Sequence, residues 1–194
     1  MIDTLILFPK NQQEWRQWLE ENHQTETSVW LGYHKIKSGV PSIKYDEAVN
    51  EALCFGWIDS TSRPIDDISY KQYFCRRKPK SVWSRVNKEK VARLSEQGLM
   101  AEAGLACIEV AKGNGSWTIL DDAENLILPE ALRVALEQQP NAFAFYESLS
   151  RTNKRNVLQW LSLAKRPETI QKRIQDIVDN ALEGQLPKPY RTNN

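Results

Sequence analysis

The chain has 194 residues, of which 41% are hydrophobic and 26% charged, and its net charge at pH 7 is +1. A chain of this length forms one or two domains and buries about 70% of its unfolded surface, so wholesale disorder is excluded. It contains no run of about 18 apolar residues, which excludes a membrane-spanning helix. The three cysteines form no CxxC pair and the first ten residues lack a basic leader, so we expect a cytoplasmic protein.

Helices and strands are both predicted in the first half of the chain. A capping-box pattern predicts a helix over residues 11–22. Alternating β-branched and aromatic residues predict a strand over 28–36, and small apolar residues predict a helix over 46–55 that Gly56 ends. The elements predicted next are an extended segment at 57–61, a strand at 68–75, a helix from Asn87 to Gln97, a helix ending near Gly113, and a short strand at 116–120.

Beyond residue 121 only helical patterns remain, and Pro129, Pro140 and Pro167 lie where helices begin. We therefore predict an α+β fold. It comprises a small mixed α+β part with a short antiparallel sheet and a basic loop (1–120), an all-helical C-terminal part (128–184), and a loose tail (185–194).

Several kinds of chemistry lack support in this sequence. Its two histidines and three cysteines show no metal-binding spacing, and no glycine-rich phosphate loop or nucleophile elbow is present, so we predict neither metal nor cofactor. The adjacent carboxylates Asp66 and Asp67 favour a solvated loop over acid–base catalysis. Cys75 lies beside Arg76 and Arg77, which would lower the pKa of an exposed thiol; the alternative is a buried small residue.

The positive charge is concentrated in one stretch. Residues 71–93 contain nine basic side chains and one acidic one, whereas residues 1–70 carry a net charge of −5 and residues 94–194 a net charge of −2. Repulsion among such closely spaced charges is relieved by an anionic partner or by acidic residues of the same chain. Both interpretations remain open at this stage.

The basic stretch also holds neutral donors and aromatic rings, which together predict an anion-accepting site. Arginine binds carboxylates and phosphates bidentately, serines and asparagine orient a ligand, and tryptophan forms a wall. In this hypothesis Asp59 holds one of the basic residues in place. The predicted ligand-binding residues are Trp57, Asp59, Arg76, Arg77, Lys78, Lys80, Ser81, Trp83, Ser84 and Asn87.

Each of these residues also has a purely structural interpretation. Ser84 and Asn87 are suited to capping a helix, Trp83 to filling the core, and the basic residues to a solvated surface. We therefore predict a non-enzymatic binding or accessory protein that takes a small anionic ligand or an acidic protein surface. The alternatives are nucleic-acid binding, since aromatic and basic residues interleave over 70–83, and an uncharacterised enzyme that uses the same cleft.

The same stretch carries a family resemblance. The run ALCFGWID at 52–59, the run FCRRKPKSVWSRVN at 74–87 and the helical end resemble the YdeI/OmpD-associated (OmdA-type, bacteriocin-protection) family. The likeness extends over nearly the whole chain, although the family pattern often has Thr-Pro where this chain has Cys75-Arg76. It implies an OmdA-like domain at 128–184, association with an outer-membrane porin, and protection against bacteriocins, without an established catalytic mechanism.

Overall fold

The computed structural model describes residues 6–191, and their contacts divide into two compact units. The first extends to Trp117 and contains a sheet with helices, and the second begins at Thr118 and is helical. The predicted α+β class is thus confirmed. None of the helices in the described part of the chain is both long enough and apolar enough to cross a membrane.

The first unit is organised around a four-stranded sheet with the order β1-β2-β4-β3. Its strands are β1 (Ile6–Leu7), β2 (Ser28–His34), β3 (Trp57–Pro64) and β4 (Ser69–Arg76). The pairs β2–β4 and β4–β3 are antiparallel, as predicted, whereas the two-residue β1 pairs with β2 in parallel. The predicted short antiparallel sheet corresponds to β2, β4 and β3, and β1 adds a two-residue parallel edge to it.

Four longer helices accompany the sheet: α1 (Gln12–Asn22), α2 (Tyr45–Cys54), α3 (Arg85–Glu96) and α4 (Glu102–Gly113). The helix α1 begins where the sequence predicts, because the Asn11 side chain accepts a hydrogen bond from the Glu14 amide at 3.0 Å. Trp15 and Leu19 of this helix are fully buried beside Leu31 of the sheet and Ala48 of α2. The indole Nε1 of Trp15 donates to the Ala48 carbonyl oxygen at 3.1 Å, which satisfies its only donor.

The second unit contains α5 (Asp121–Glu124), α6 (Glu130–Glu137), α7 (Pro140–Ser148), α8 (Arg151–Ser162) and α9 (Pro167–Leu182). Pro140 and Pro167 occupy first helical turns, where the missing amide hydrogen costs nothing. Leucines 132, 136 and 158 are fully buried and form the centre of this unit's own hydrophobic core. The helical prediction for this region is correct.

Three local predictions differ from the structure. Residues 116–120 form turns instead of a strand, because Gly115 reverses the chain with φ = 78° and Trp117 packs on Trp83. The helix α3 is capped by Ser84, whose Oγ accepts from the Asn87 amide, so Asn87 lies inside the helix. The predicted loose tail contains a 3-10 turn at Lys188–Tyr190.

Candidate functional site

A cleft of about 440 Å³ opens beside the end of β4 in the first unit. Its volume falls in the range of small-molecule sites, about 300–1,000 Å³. The residues that line it are His23, Gln24, Phe55, Gly56, Trp57, Arg76, Arg77, Pro79, Ala103, Ala106, Cys107 and Val110. Two guanidinium groups therefore border a mainly apolar cleft, and no Asp or Glu of the described residues is among its lining side chains.

The turn from α2 into β3 forms one wall of the cleft. Gly56 has φ = 72°, a conformation that favours glycine, and a Cβ at this position would lie 3.1 Å from the Ala103 carbonyl oxygen. The Gly56 carbonyl accepts a hydrogen bond from the Arg77 amide at 2.9 Å. This bond fixes the chain where β4 ends and the basic loop (residues 77–84) begins.

A second wall, which adjoins the first at Gly56, comes from α4. Ala103 and Ala106 have short side chains, which leave the cleft open along this helix. On another side of the helix, Gly104 packs on the Cys54 backbone so closely that an added Cβ would lie 2.2 Å from the carbonyl oxygen. The Ala101 amide donates to the same oxygen at 3.0 Å, so α4 is held tightly against the end of α2.

The basic loop is anchored through its backbone carbonyls. The Asn114 side-chain Nδ2 donates to the Pro79 carbonyl oxygen at 2.7 Å, and the Ser116 hydroxyl donates to the same oxygen at 3.3 Å. Arg77 Nη1 donates to the Val82 carbonyl oxygen at 3.0 Å, which closes the loop on itself. The loop therefore presents Arg77 from a defined backbone position.

Arg77 is the most unusual charged residue of the site. It is only 8% exposed, its Cζ lies 3.6 Å from the centroid of the Trp83 ring, and it forms no ion pair with any carboxylate of residues 6–191. Its Nε is buried and has no hydrogen-bond partner. Burial lowers the pKa of this guanidinium to about 10, although nearby thiols and Asp59 favour its charged form.

Trp57 contributes a second unsatisfied donor. Its ring is 1% exposed and packs edge-on against Trp18 at 5.7 Å, and its Nε1 has no hydrogen-bond partner. Within residues 6–191, five buried side-chain nitrogen or oxygen atoms lack a partner, and two of them belong to the cleft residues Trp57 and Arg77. Such groups are rare in proteins because losing water without gaining a partner is costly.

The structure distributes the predicted site residues over several environments. Trp57, Arg76 and Arg77 line the cleft, and Arg76 Nε donates to the Glu26 carbonyl oxygen at 2.7 Å. Trp83 is buried and packs on the Arg77 guanidinium. The predicted residues that do not line the cleft are Asp59, Lys78, Lys80, Ser81, Trp83, Ser84 and Asn87.

Those remaining residues have distinct local roles. Lys78 and Lys80 are exposed on the basic loop, and the half-buried Ser81 donates its amide to the Lys78 carbonyl oxygen at 2.9 Å. Ser84 and Asn87 form the N-terminal cap of α3. Their structural interpretation as capping residues is therefore the one that the geometry supports.

Asp59 does not hold a basic residue in place through an ion pair. Its Oδ2 accepts hydrogen bonds from the Tyr45 hydroxyl at 2.7 Å and from the Gln72 side-chain Nε2 at 3.0 Å. These neutral donors satisfy the carboxylate on the sheet, so the predicted positioning role is wrong. Its charge still favours the charged form of Arg77 at longer range.

Of the two interpretations of Cys75, the structure favours the partly buried residue over the activated thiol. Cys75 is half-buried, and burial raises its pKa more than Lys78 and Arg77 lower it. Cys107, which lines the cleft, likewise has a raised pKa because of burial. In the described part of the chain, no group of three or more His, Cys, Asp or Glu side chains is arranged to hold a metal ion.

Two of the four aromatic residues that interleave with basic residues over 70–83 are buried, and the other two each pack on an aromatic ring of β2. Phe74 and Trp83 are at most 1% exposed, so neither presents a face on which a base can stack. Tyr70 stacks on Tyr33 with ring centroids 4.8 Å apart. These contacts remove much of the aromatic surface on which the nucleic-acid alternative depends.

The sequence alone identifies three of the twelve residues that line the cleft and misses the other nine. His23 and Phe55 come from a region without excess positive charge, and Ala103 and Ala106 are small residues on a helix that local patterns assign only to packing. Asn114, which anchors Pro79, lies in a motif that by itself indicates a turn. The spacing of small residues along α4 was the available signal, but it does not say what they face.

Two family models match the chain. Residues 7–107 match the family described as a domain of unknown function (DUF8412), and residues 125–184 match the family described as bacteriocin-protection, YdeI or OmpD-associated. Comparisons with curated proteins and with solved structures gave no significant match. The first model covers the whole cleft except Val110, and the second lies in the helical unit.

Proposed function

Since the chain belongs to the DUF8412 family, whose model matches more than half of it, and also carries a bacteriocin-protection, YdeI or OmpD-associated domain, we propose a non-enzymatic accessory role. The second domain is the reason for proposing that this role lies in bacteriocin protection. In this proposal the first unit binds an anionic ligand in the cleft beside Arg77. The helical unit supplies the association that its family description names.

The observation that carries the proposal is the isolation of Arg77. The Arg77 side chain is 8% exposed, has no carboxylate partner and has a buried Nε without a hydrogen bond. Burying such a charge on folding costs free energy. An anion bound in the adjoining cleft pairs with the guanidinium, and this charge-assisted contact favours binding. The contact with Trp83 supports the guanidinium but supplies no acceptor oxygen.

The charges around the cleft favour an anion over a cation. Arg76 and Arg77 both line it, and no Asp or Glu of residues 6–191 does. Positive residues near a low-dielectric cleft attract anions and raise their local concentration. We place this role in the cytoplasm, as the three unpaired cysteines suggest, and leave porin association as a prediction from the family description.

A protection assay tests the proposed function. Bacteria that express the full chain are exposed to a pore-forming bacteriocin, and the minimum inhibitory concentration is compared with that of cells carrying an empty vector. We expect the wild-type chain to raise it and the Arg77→Met variant, at equal expression, to lose most of the gain. Methionine keeps a long side chain but removes the charge.

Lys80→Met is the matched control, because it removes one positive charge from the same loop at a position outside the cleft lining. It should protect as well as the wild type. No gain from the wild-type chain contradicts the protective role, and undiminished protection by Arg77→Met shows that the cleft is not the site through which it acts.

A further inference from the structure

We infer that the cleft ligand is a carboxylate attached to an apolar body, of the size of an arylalkanoate or of the last residue of a peptide. The inference rests on the proposed function, since it names the chemical class that the anion site accepts. It depends on three properties of the cleft: the number of unsatisfied donors, the nature of the walls, and the volume.

The donors suit a planar anion with one charge. Arg77 Nη1 is bonded to the Val82 carbonyl oxygen, and Arg77 Nη2 forms no hydrogen bond in the described structure, so it is the donor open to a ligand. Arg77 Nε and Trp57 Nε1 also lack a partner, but both atoms are buried beneath the cleft surface. Arg76 lines the cleft as well, but its Nε is bonded to the Glu26 carbonyl oxygen. A carboxylate has two oxygens in one plane and matches the fork of a guanidinium.

The walls suit an apolar body. Phe55, Pro79, Ala103, Ala106 and Val110 present carbon to the cleft, and Val110 is 48% exposed. Burying apolar ligand surface against them contributes about 25 cal/mol per Å² before the costs of association. A cleft that bound a small inorganic anion alone would gain nothing from this surface.

Inorganic phosphate fits the same site less well. It carries a larger charge and three or four acceptor oxygens, and each oxygen that loses water without finding a donor is costly to bury. The cleft has no lysine or serine among its lining residues, while Lys78, Lys80 and Ser81 of the basic loop lie outside it. Of the basic loop, Arg77 is thus the charged residue that contacts the anion, and its two lysines do not.

The carboxylate can come from a small organic acid or from the C-terminus of a peptide. Both sources offer the same planar anion joined to an apolar group, and the cleft volume of about 440 Å³ accommodates either a single aromatic acid or one apolar terminal residue. The experiment below separates them.

Isothermal titration calorimetry of the full chain tests the inference with 3-phenylpropionate, 3-phenylpropionamide, acetate and inorganic phosphate. We expect 3-phenylpropionate to bind at least about tenfold tighter than its amide, which lacks the charge, and than acetate, which lacks the body. The peptide Gly-Gly-Phe is compared in the same way with its C-terminal amide.

Variants then assign the binding to the cleft. Arg77→Met should lower the affinity for 3-phenylpropionate at least about tenfold, and Lys80→Met should change that affinity by less than about twofold. If Arg77→Met is poorly folded, the comparison of acid with amide on the wild-type chain still decides the question. Binding of the free-acid peptide alone supports the inference and identifies a peptide terminus as the source.

Two outcomes separate failure of the inference from failure of the proposed function. If phosphate binds tighter than 3-phenylpropionate in an Arg77-dependent manner, the ligand class is wrong while the anion site stands. If none of the four small molecules and neither peptide binds, both the ligand class and the anion-accepting cleft are contradicted.

Discussion

The guanidinium carbon of Arg77 lies 3.6 Å from the centroid of the Trp83 ring, and both side chains are almost completely buried. A cation on a tryptophan face gains about 2 kcal/mol or more when both groups are desolvated. That contact replaces only part of the hydration that Arg77 loses on folding. The pair therefore holds a charged group in place without neutralising it, which is the state that a binding site for an anion requires.

Replacing Arg77 by methionine should leave the first unit at least as stable as the wild type. The substitution removes a buried charge without an ionic partner and keeps similar volume over Trp83. Replacing a buried ion pair by apolar residues of similar volume is often neutral or stabilising by about 1–4 kcal/mol, and a buried charge without an ionic partner lacks even the attraction that such a pair gains. Urea denaturation followed by tryptophan fluorescence measures the change, with Lys80→Met as the control. A loss of several kcal/mol would contradict this account of Arg77.

Gly104 should be much less tolerant of alanine than Gly113, although both lie in α4. A Cβ at Gly104 meets the Cys54 carbonyl oxygen at 2.2 Å, whereas a Cβ at Gly113 has no neighbour within 4 Å among the described residues. We expect Gly104→Ala to destabilise the unit by about 1–3 kcal/mol. Gly113→Ala should be neutral or slightly stabilising. Thermal or urea unfolding gives both values, and equal effects would mean that α4 does not pack on α2 as described.

The cysteines should alkylate slowly at neutral pH and faster as the pH rises. Burial raises the pKa of Cys54 to about 11 and also raises the pKa of Cys75 and Cys107, which lowers the thiolate fraction of each. Peptide mass spectrometry after iodoacetamide treatment measures the three rates separately. Of the three, only Cys107 lines the cleft, so 3-phenylpropionate should protect Cys107 and leave Cys75 unchanged.

The outcome that counts against this interpretation is equal protection of both thiols, which would indicate a general stabilisation of the fold. Rapid labelling of Cys75 at neutral pH would instead restore the idea of an activated thiol beside Arg76 and Arg77.

The second unit should lose stability in alkali through Tyr146. Burial raises the pKa of this phenol to about 12, above its ordinary value of 10. Between these two pKa values the folded state retains a proton that the unfolded state releases. The contribution of protonated Tyr146 to the free energy of unfolding is therefore complete below pH 10 and is lost as the pH rises from 10 to about 12. Tyr146→Phe should flatten this part of the stability profile in urea titrations at each pH. An unchanged slope would show that Tyr146 is not the group responsible.

Local patterns predict most of the elements because their causes are local. Asn11 caps α1 within the same turn, and Gly56 ends α2 with its positive φ, so both boundaries can be found in the sequence. The strand predicted at 116–120 is wrong for the opposite reason. The β-branched and aromatic residues of this segment favour a strand, but Trp117 packs on Trp83 and no neighbouring strand is available in the described structure.

The candidate site is predictable only in part. The sequence identifies Trp57, Arg76 and Arg77 through composition, yet it cannot show that Asp59 bonds to Tyr45 and Gln72 instead of to a basic side chain. It also cannot show that Ala103 and Ala106 of α4 face the end of β4, because that contact joins segments far apart in the chain. Burial of Arg77 is likewise a tertiary effect.

Nuclear magnetic resonance of the Arg77 Nε–H group tests the central claim most directly, since this donor has no partner in the described structure. The full chain is labelled with ¹⁵N, the resonance is assigned by its loss in Arg77→Met, and 3-phenylpropionate is added. We predict a saturable downfield shift of the Arg77 proton with 3-phenylpropionate and none with 3-phenylpropionamide. A resonance that stays in place while calorimetry shows 3-phenylpropionate bound would contradict the assignment of the carboxylate to Arg77.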